Sequence, residues 1–391
     1  MSHLSFVVAA SDQHVRRRPP ECGRERPRRL DAGRSLRMII AGGGTGGHLF
    51  PGLAVAQALA ADGEAHVLFV GSTYGIEATA IPRTSFPFQA LAIRGVRGRG
   101  LRGAVRFAAQ LPIALLQAWR VIGNFRPSVV LGLGGYSSFP VVVAAWLRGV
   151  PAVLMEQNVR PGLANRLLGS MAQRVCTAFA ESAEFFPAGR AVQTGNPVRP
   201  LARSKYSSSD LFTIFAFGGS QGAHTINKAV VDAARILREH LPGLRMIHQT
   251  GTADVEWVER RYRELGVAAE VLAFIDDMAS AYGRADLVVC RAGASTLAEL
   301  AVLGKPSLLV PYPFAADDHQ RANADVLLRH GAAECIENSA LSGEFLAARV
   351  LDLARDRARL QAMGTAARQL AIPDAAQRVV DVCRRVAREG R

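Results

Sequence analysis

From Met38 onward, short apolar runs alternate with longer segments whose apolar positions recur every three or four residues. Continuous apolar runs of four to six residues read as buried parallel strands, and the longer 3.6-period segments as helices. Strands are expected at Met38–Ala41, His66–Val70, Val129–Leu133, Ala152–Met155 and Arg174–Thr177, then at Phe212–Phe217, Arg245–Gln249, Glu270–Ala273, Leu287–Cys290 and Ser307–Val310. Helices are expected after the first strand, with Pro51 in the first turn and Gly63 past the end, and around Gly103–Phe125, Phe139–Arg148 and Leu163–Gly169. Most strands of the second half are followed by a helix, and a last helix runs from about Ala375 to Ala387, after Pro373. This alternation predicts an α/β protein: two Rossmann-like, doubly wound parallel-sheet domains facing a central cleft.

The pattern also sets expected boundaries. Residues 1–37 are rich in Arg and Pro, lack periodicity and read as a disordered extension, so that Met38 is a candidate translation start. Residues 38–198 form one expected domain and 199–371 the second, joined through the polar stretch that ends at Asp210. Residues 372–391 are expected as a helix packing back on the first domain.

Two glycine-rich loops occupy matching places in the halves, GGGTGGH at Gly42–His48 and GGSQGAH at Gly218–His224. A loop of this kind between strand and helix brings backbone N–H groups close to a phosphate, and the helix N-terminus adds partial positive charge. The first also fits G-x-G-x-x-G, but the next strand ends in Gly71–Ser72 and lacks the acidic residue that would hold a dinucleotide ribose, which argues against a nicotinamide enzyme. His48, just after the first loop, is a candidate general base; the competing reading is a histidine packed at a helix start. Ser220 adds a hydroxyl to the second loop, suited to a diphosphate. In CRAGASTLAEL, Glu299 is placed for two ribose hydroxyls from a first helical turn, yet Thr296-x-x-Glu299 also reads as a capping box that uses the same carboxylate. Gln320, in DDHQRANA, either meets sugar hydroxyls or belongs to an N-capped surface helix.

Charge and cysteines narrow the classes. The chain of 391 residues carries a formal net charge of +14, but only three of its basic residues are lysine, a skew that fits a G+C-rich genome better than a nucleic-acid surface. No interleaved aromatic–basic module is present, so no nucleic-acid partner is expected. An anionic membrane face or anionic ligands fit the charge. Five dispersed cysteines without C-x-x-C argue against a disulfide framework or zinc site and fit a reducing compartment. No ligand spacing for a metal is found, and none is expected. No apolar run reaches the ~18 residues of a membrane helix, and the arginines follow rather than precede the opening apolar run, opposite to a signal peptide. Between Ile93 and Arg120, Arg94 and Arg97 precede Ile113, Leu116 and Trp119, and Trp146 lies in the next apolar helix. This pattern suits either an anionic-lipid interface or a core helix with a basic face. The oligomeric state is not legible.

In order along the chain, GGGTGGHLFPGLAVAQAL, LGLGGYSSFP, EQN, GNPVR, GGSQGAHTIN, FIDDM, CRAGASTLAE and DDHQRANA resemble the bacterial peptidoglycan transferases of the MurG family, from about Met38 to the C-terminus. The resemblance implies the GT-B fold and inverting transfer of N-acetylglucosamine from UDP-GlcNAc to undecaprenyl-diphosphate-linked muramyl pentapeptide, without a cofactor, by a peripheral protein on the cytoplasmic face of the inner membrane. It implies donor contacts at Thr45, Gly46, Gly47, Asn158, Arg199, Ser220, Ile275 (through its backbone), Ala294, Ser295, Thr296, Leu297, Ala298, Glu299 and Gln320. It also implies an acceptor-side loop at Gly134, Gly135 and Tyr136, and a membrane patch at Arg94, Arg97, Ile113, Leu116, Trp119 and Trp146. His48 is the first candidate base and Glu156 the second. A UDP-GlcNAc epimerase of the same fold, which needs no lipid acceptor, a related lipid glycosyltransferase that differs only in acceptor, and a non-catalytic lipid- or nucleic-acid-binding protein are the alternatives.

Overall fold

The computed structural model describes residues 35–63, 65–95, 100–199, 211–219 and 221–390. The expected disordered extension, the polar stretch before Asp210, Arg97 and Ser220 lie outside the described residues, apart from 35–37.

The first lobe is built on β1 (Leu36–Ala41), β2 (Ala65–Ser72), β3 (Phe88–Leu91), β4 (Val129–Gly132), β5 (Ala152–Glu156), β6 (Arg174–Thr177) and β7 (Ala191–Gln193). All neighbours pair in parallel in the order β3-β2-β1-β4-β5-β6-β7. Its helices are α1 (Gly46–Ala61), α2 (Glu77–Ala80), α3 (Gly100–Phe125), α4 (Ser138–Leu147) and α5 (Leu163–Leu168). Alternation along β1 divides the core: Met38 and Ile40 pack with Leu49, Val55 and Leu59 of α1, whereas Ile39 and Ala41 pack with α3 and α4. The first strand begins at Leu36, not Met38, because Leu36 and Arg37 continue the ladder with Ala65 and His66. Strands β3 and β7, absent from the sequence expectation, are short edge strands.

The second lobe holds β8 (Phe212–Phe217), β9 (Leu244–Gln249), β10 (Ala268–Leu272), β11 (Leu287–Cys290), β12 (Ser307–Leu309) and β13 (Ala333–Cys335), parallel in the order β10-β9-β8-β11-β12-β13. Helices α6 (His224–His240), α7 (Val255–Leu265), α8 (Met278–Arg284), α9 (Ala294–Leu303), α10 (His319–Arg329), α11 (Gly343–Arg355) and α12 (Arg357–Gln369) cover it. Finally, α13 (Ala375–Glu389) returns to the first lobe, where Val379, Val380, Cys383 and Val386 join the core of Met38 and Ile40.

Strand order reverses between β1 and β4 in one sheet and between β8 and β11 in the other. Such reversals open a crevice at the carboxyl ends of the strands. Both glycine loops emerge there, directly after β1 and β8.

Candidate active site

In the first loop, Gly42, Gly43 and Gly44 all have φ in the range favouring glycine, at 136°, 149° and 83°. Each meets a different neighbour: a Cβ on Gly42 would lie 2.8 Å from the Gly134 carbonyl oxygen and one on Gly44 3.0 Å from the Tyr136 ring, while Gly43 faces a buried anion. Glu77, 1% exposed, accepts bonds from the N–H of Gly44 at 2.6 Å and of Ser72 at 2.8 Å. A Cβ on Gly43 would sit 2.4 Å from the Glu77 carboxyl carbon. The expectation that this whole loop cradles a substrate phosphate is therefore corrected: the Gly44 N–H is committed to Glu77 and the Gly42 N–H to the Val70 carbonyl. Thr45–His48 remain at the start of α1.

There Thr45 Oγ1 and His48 Nδ1 are 2.8 Å apart. If Nδ1–H donates to Thr45, the lone pair lies on Nε2. That edge of the ring faces the GGY segment, since a Cβ on Gly134 would be 3.4 Å from His48 Nε2. Tyr136 lies over the same loop, its ring 3.0 Å from where a Gly44 Cβ would stand. Tertiary structure thus brings His48, Gly134, Gly135 and Tyr136 together. Pro51 is the sixth residue of α1 rather than part of its first turn. It has no N–H for the Gly47 carbonyl, which instead lies 3.5 Å from Ser295 Oγ in the opposite lobe.

Glu156, at the end of β5, is 2% exposed. Its Oε1 accepts from Asn158 N and Nδ2, and its Oε2 from Gly162 N and Asn165 Nδ2, at 2.9–3.2 Å. These four donors fill a carboxylate's capacity. Burial pushes its pKa up, against the opposing bonds from Asn158, Asn165 and Gly162. The expectation of Glu156 as an alternative base is corrected: it organises the loop after β5 and has no lone pair left for a substrate proton. Asn158 is drawn across the cleft, its Oδ1 accepting from Asn323 Nδ2 at 3.1 Å while Asn323 Oδ1 accepts from Val159 N at 2.9 Å. Asn323, fully buried, is an interlobe clamp that sequence reading passed over in DDHQRANA.

In the second lobe, Gly222 has φ 76° and approaches the Thr250 carbonyl so closely that a Cβ would lie 1.9 Å from it. Gln249, also unforeseen, spans two loops: its Nε2 donates to the Gly219 carbonyl at 2.9 Å and its Oε1 accepts from Ile275 N at 3.1 Å. The Ile275 N–H is therefore engaged within the protein.

Helix α9 begins at Ala294 with Gly293 as N-cap and no side-chain cap bond. Thr296 lies inside the helix and Glu299 is its sixth residue, so neither the capping box nor a first-turn position for Glu299 holds. The Glu299 carboxylate accepts from Tyr282 Oη at 2.9 Å. Burial raises its pKa to about 6, opposed by the Tyr282 bond and the Arg199 charge. Arg199 lies with its guanidinium 4.6 Å from the Phe50 ring centroid, so it links the start of the interlobe crossing to α1. Arg291, 9% exposed, donates to the carbonyls of Val310 and Pro311, to Asn338 Oδ1 and to Thr225 Oγ1 at 2.9–3.1 Å. It ties together four segments beside the cleft. Gln320 Oε1 accepts from Tyr312 N at 2.9 Å. It follows Asp317 and Asp318, both at positive φ near 50°, so a strained loop rather than an ordinary N-cap leads into α10.

Residues 38–177 match the Glycosyltransferase family 28 N-terminal domain, and residues 213–379 the C-terminal domain of the same family. The chain belongs to glycosyltransferase family 28. A relative in Anaeromyxobacter sp. (strain K), named UDP-N-acetylglucosamine--N-acetylmuramyl-(pentapeptide) pyrophosphoryl-undecaprenol N-acetylglucosamine transferase, is 45% identical over 358 residues, covering 90% of this chain and 94% of its own. The crystal structure of Acinetobacter baumannii MurG is 34% identical, with a TM-score of 0.74 over 90% of this chain and 99% of that one, and sets the chain in the MurG branch of the family. A UDP-GlcNAc 2-epimerase from Neisseria meningitidis bound to UDP-GlcNAc, at 13% identity and a TM-score of 0.63, shares the fold alone.

Away from the cleft, α3 buries Ala114, Ala118 and Ile122 while Ile113, Leu116 and Trp119 are 40–56% exposed, next to exposed Trp146 on α4. Arg148 lies 4.0 Å from the Trp119 ring centroid, and Arg94 stacks on Tyr74 at 3.6 Å. No helix among the described residues is long and apolar enough to cross a membrane. Among them, no group of three or more His, Cys, Asp or Glu side chains converges as a metal site.

Proposed function

We propose that this family 28 chain transfers N-acetylglucosamine from UDP-GlcNAc to the C4 hydroxyl of undecaprenyl-diphosphate-linked N-acetylmuramyl pentapeptide, with inversion. The observation that carries the reading is a cleft whose two walls are chemically different and whose sequence, at 45% identity over 90% of the chain, is that of named transferases of this reaction. The wall from residues 199–371 takes the donor. The half-buried Glu299 carboxylate, held by Tyr282, receives the ribose hydroxyls, and the Ile275 backbone meets the uracil through its carbonyl, its N–H being bonded to Gln249. Ser295, Thr296 and Gln320 are assigned to the same donor. Asn158 contributes through its place in the interlobe clamp.

The wall from residues 38–198 takes the acceptor between His48 and Gly134–Tyr136. His48 Nε2 removes the C4 hydroxyl proton as that oxygen forms its bond to the anomeric carbon, and the bond from that carbon to the UDP oxygen breaks. Arg199 and the N–H groups at the starts of α1 and α6 stabilise the charge that develops on the diphosphate. The exposed face of Ile113, Leu116, Trp119 and Trp146, with Arg94 beside it, lies against an anionic cytoplasmic membrane surface and brings the site to its lipid-linked acceptor.

The test measures UDP release from UDP-GlcNAc with and without a lipid-linked muramyl-peptide analogue. Acceptor-dependent release with a disaccharide product supports the reading; release without acceptor points instead to an epimerase or hydrolase. His48→Ala should lower turnover by about 10²–10⁴-fold with donor affinity unchanged. Near-normal turnover would remove His48 as the base.

A further inference from the structure

One short segment of the first lobe, residues 92–95 after β3, touches both the helix of the exposed apolar face and the loop beside His48. Two glutamines of α3 hold its backbone: Ala92 N donates to Gln117 Oε1 at 2.9 Å, and Arg94 N to Gln110 Oε1 at 3.0 Å. Seven residues apart, these glutamines lie two turns along one side of the helix that exposes Ile113, Leu116 and Trp119. Ser72 Oγ, at the end of β2, donates to the Ile93 carbonyl at 2.6 Å. Gly95 then packs on Tyr136, where a Cβ would lie 2.8 Å from the ring that also covers Gly44.

Arg94 supplies the charge on this segment. It is half-buried, and its guanidinium carbon lies 3.6 Å from the ring centroid of Tyr74, which follows β2. Of its side-chain nitrogens, Nε alone is buried without a partner. The open end of the fork is therefore Nη1 and Nη2, a pair of donors matched to phosphate oxygens. Among the described residues no carboxylate pairs with it. Glu77, in the turn after β2, is committed to the N–H groups of Gly44 and Ser72. A cation partly withdrawn from water without a counter-ion is costly, and an arriving anion relieves that cost.

We propose that Arg94 binds the diphosphate of the lipid-linked acceptor and so sets where its sugar stops relative to His48. The assignment deepens the transferase reading and rests on it. The three parts of such an acceptor then fall in order along one wall: the sugar at His48 and Tyr136, the diphosphate at Arg94, and the prenyl chain over Ile113 and Leu116. Strands spaced about 4.8 Å apart put the end of β3 about 10 Å from the end of β1, the reach of a hexose carrying a diphosphate on its far carbon. A phospholipid headgroup offers the same phosphate chemistry. The Tyr74 stack and the buried Nε instead hold the guanidinium at the carboxyl ends of the strands, on the side of the acceptor. Arg94 meets no reacting atom; it is a positioning residue, and its loss weakens the acceptor without touching the donor.

The test titrates the full chain with geranyl diphosphate and geranyl monophosphate by ligand-observed NMR, with UDP held at saturation to fill the donor side. The diphosphate should bind saturably and at least about tenfold more tightly than the monophosphate. Arg94→Gln should weaken diphosphate binding at least about tenfold and bring the two probes within about threefold of each other. It should also raise KM for the lipid-linked muramyl-peptide analogue about tenfold, with KM for UDP-GlcNAc and sedimentation with anionic vesicles changed less than about twofold. Should that variant lose UDP binding and so prove misfolded, Tyr74→Leu, at an exposed ring, should still weaken diphosphate binding about threefold by removing the stack. Equal affinity for the two probes in the wild type, or undiminished diphosphate binding in the folded variant, would overturn the assignment. Loss of vesicle binding alone would overturn it too, in favour of membrane headgroups. A normal acceptor KM in Arg94→Gln would sink the role of Arg94 and leave the transferase reading standing. Diphosphate binding that depends on Arg94, in a protein that turns over no muramyl acceptor, would do the reverse.

Discussion

Replacing Glu299 with glutamine separates what the donor site needs from what the fold prefers. Burial raises the Glu299 carboxyl from its ordinary 4.5 to about 6. One unit corresponds to about 1.4 kcal/mol, so the ionised group costs the folded state about 2 kcal/mol above pH 6. The native protein holds the proton more tightly than the unfolded chain. Stability therefore falls as pH rises from 4.5 to 6, then levels off. Glutamine has no charge to desolvate and its Oε1 still accepts from Tyr282 Oη, although that bond loses its charge assistance. Glu299→Gln should then gain about 1–2 kcal/mol at pH 7.5 and nothing at pH 4.5. The same change removes the anion proposed to take two ribose hydroxyls, each bond worth about 1.5–3 kcal/mol when charged. UDP affinity should fall at least about tenfold. In the wild type it should weaken about tenfold per unit as pH drops below 6, because the protonated carboxyl must ionise on binding. Urea melts at pH 7.5 and 4.5, with UDP titrations by calorimetry, measure all three. A variant that is less stable at pH 7.5, or that binds UDP as well as the wild type, would refute this account of Glu299.

Other substitutions follow from the same geometry. Glu156→Gln turns an amide NH2 toward donors that now meet a carboxylate, and should destabilise the protein by about 2–4 kcal/mol in urea melts; a loss of turnover with unchanged stability would restore Glu156 as a base. Burial lowers the His248 pKa to about 3, with its ring nitrogens bonded to Asn227 and Tyr262. The unfolded chain then takes up the proton first, so His248 withdraws about 1.4 kcal/mol for each pH unit below 6.5. This opposes the Glu299 contribution between pH 6 and 4.5. His248→Gln should flatten the acid side of the stability curve, and an unchanged curve would count against a neutral buried ring. Leu116→Asp with Ile113→Asp should lower binding to anionic vesicles at least about tenfold in a sedimentation assay while leaving UDP affinity unaltered; equal vesicle binding would move the membrane face elsewhere.

The long central elements were legible because each carries its own signal. The apolar strands at Val129, Ala152, Phe212 and Leu287 lie within a residue or two of their expected limits. Strands β3, β7 and β13 were not legible. They are three or four residues long at sheet edges, and their pairing with a neighbour, rather than any local periodicity, makes them strands. The Thr296–Glu299 capping signal was overruled because α9 starts a residue after Gly293, which puts Glu299 beside Tyr282 from another helix.

The sequence by itself determined which residue types stand at the strand ends: the glycine loops, His48, Glu299, and the motif order that marks the family. Those features are local, since loop conformation and strand-to-helix order depend on neighbouring residues. Only the tertiary structure decided what each polar group faces. Glu77 reaches back to Gly44, Asn323 crosses the cleft to Val159, Glu156 gives up all its lone pairs, and Asn196 is left unmatched between two chain crossings. Val159 and Asn323, 164 residues apart, meet because two sheets reverse their strand order at the same crevice. Burial then fixes whether a carboxylate or amide meets water, another side chain or a ligand, and no local pattern encodes that burial.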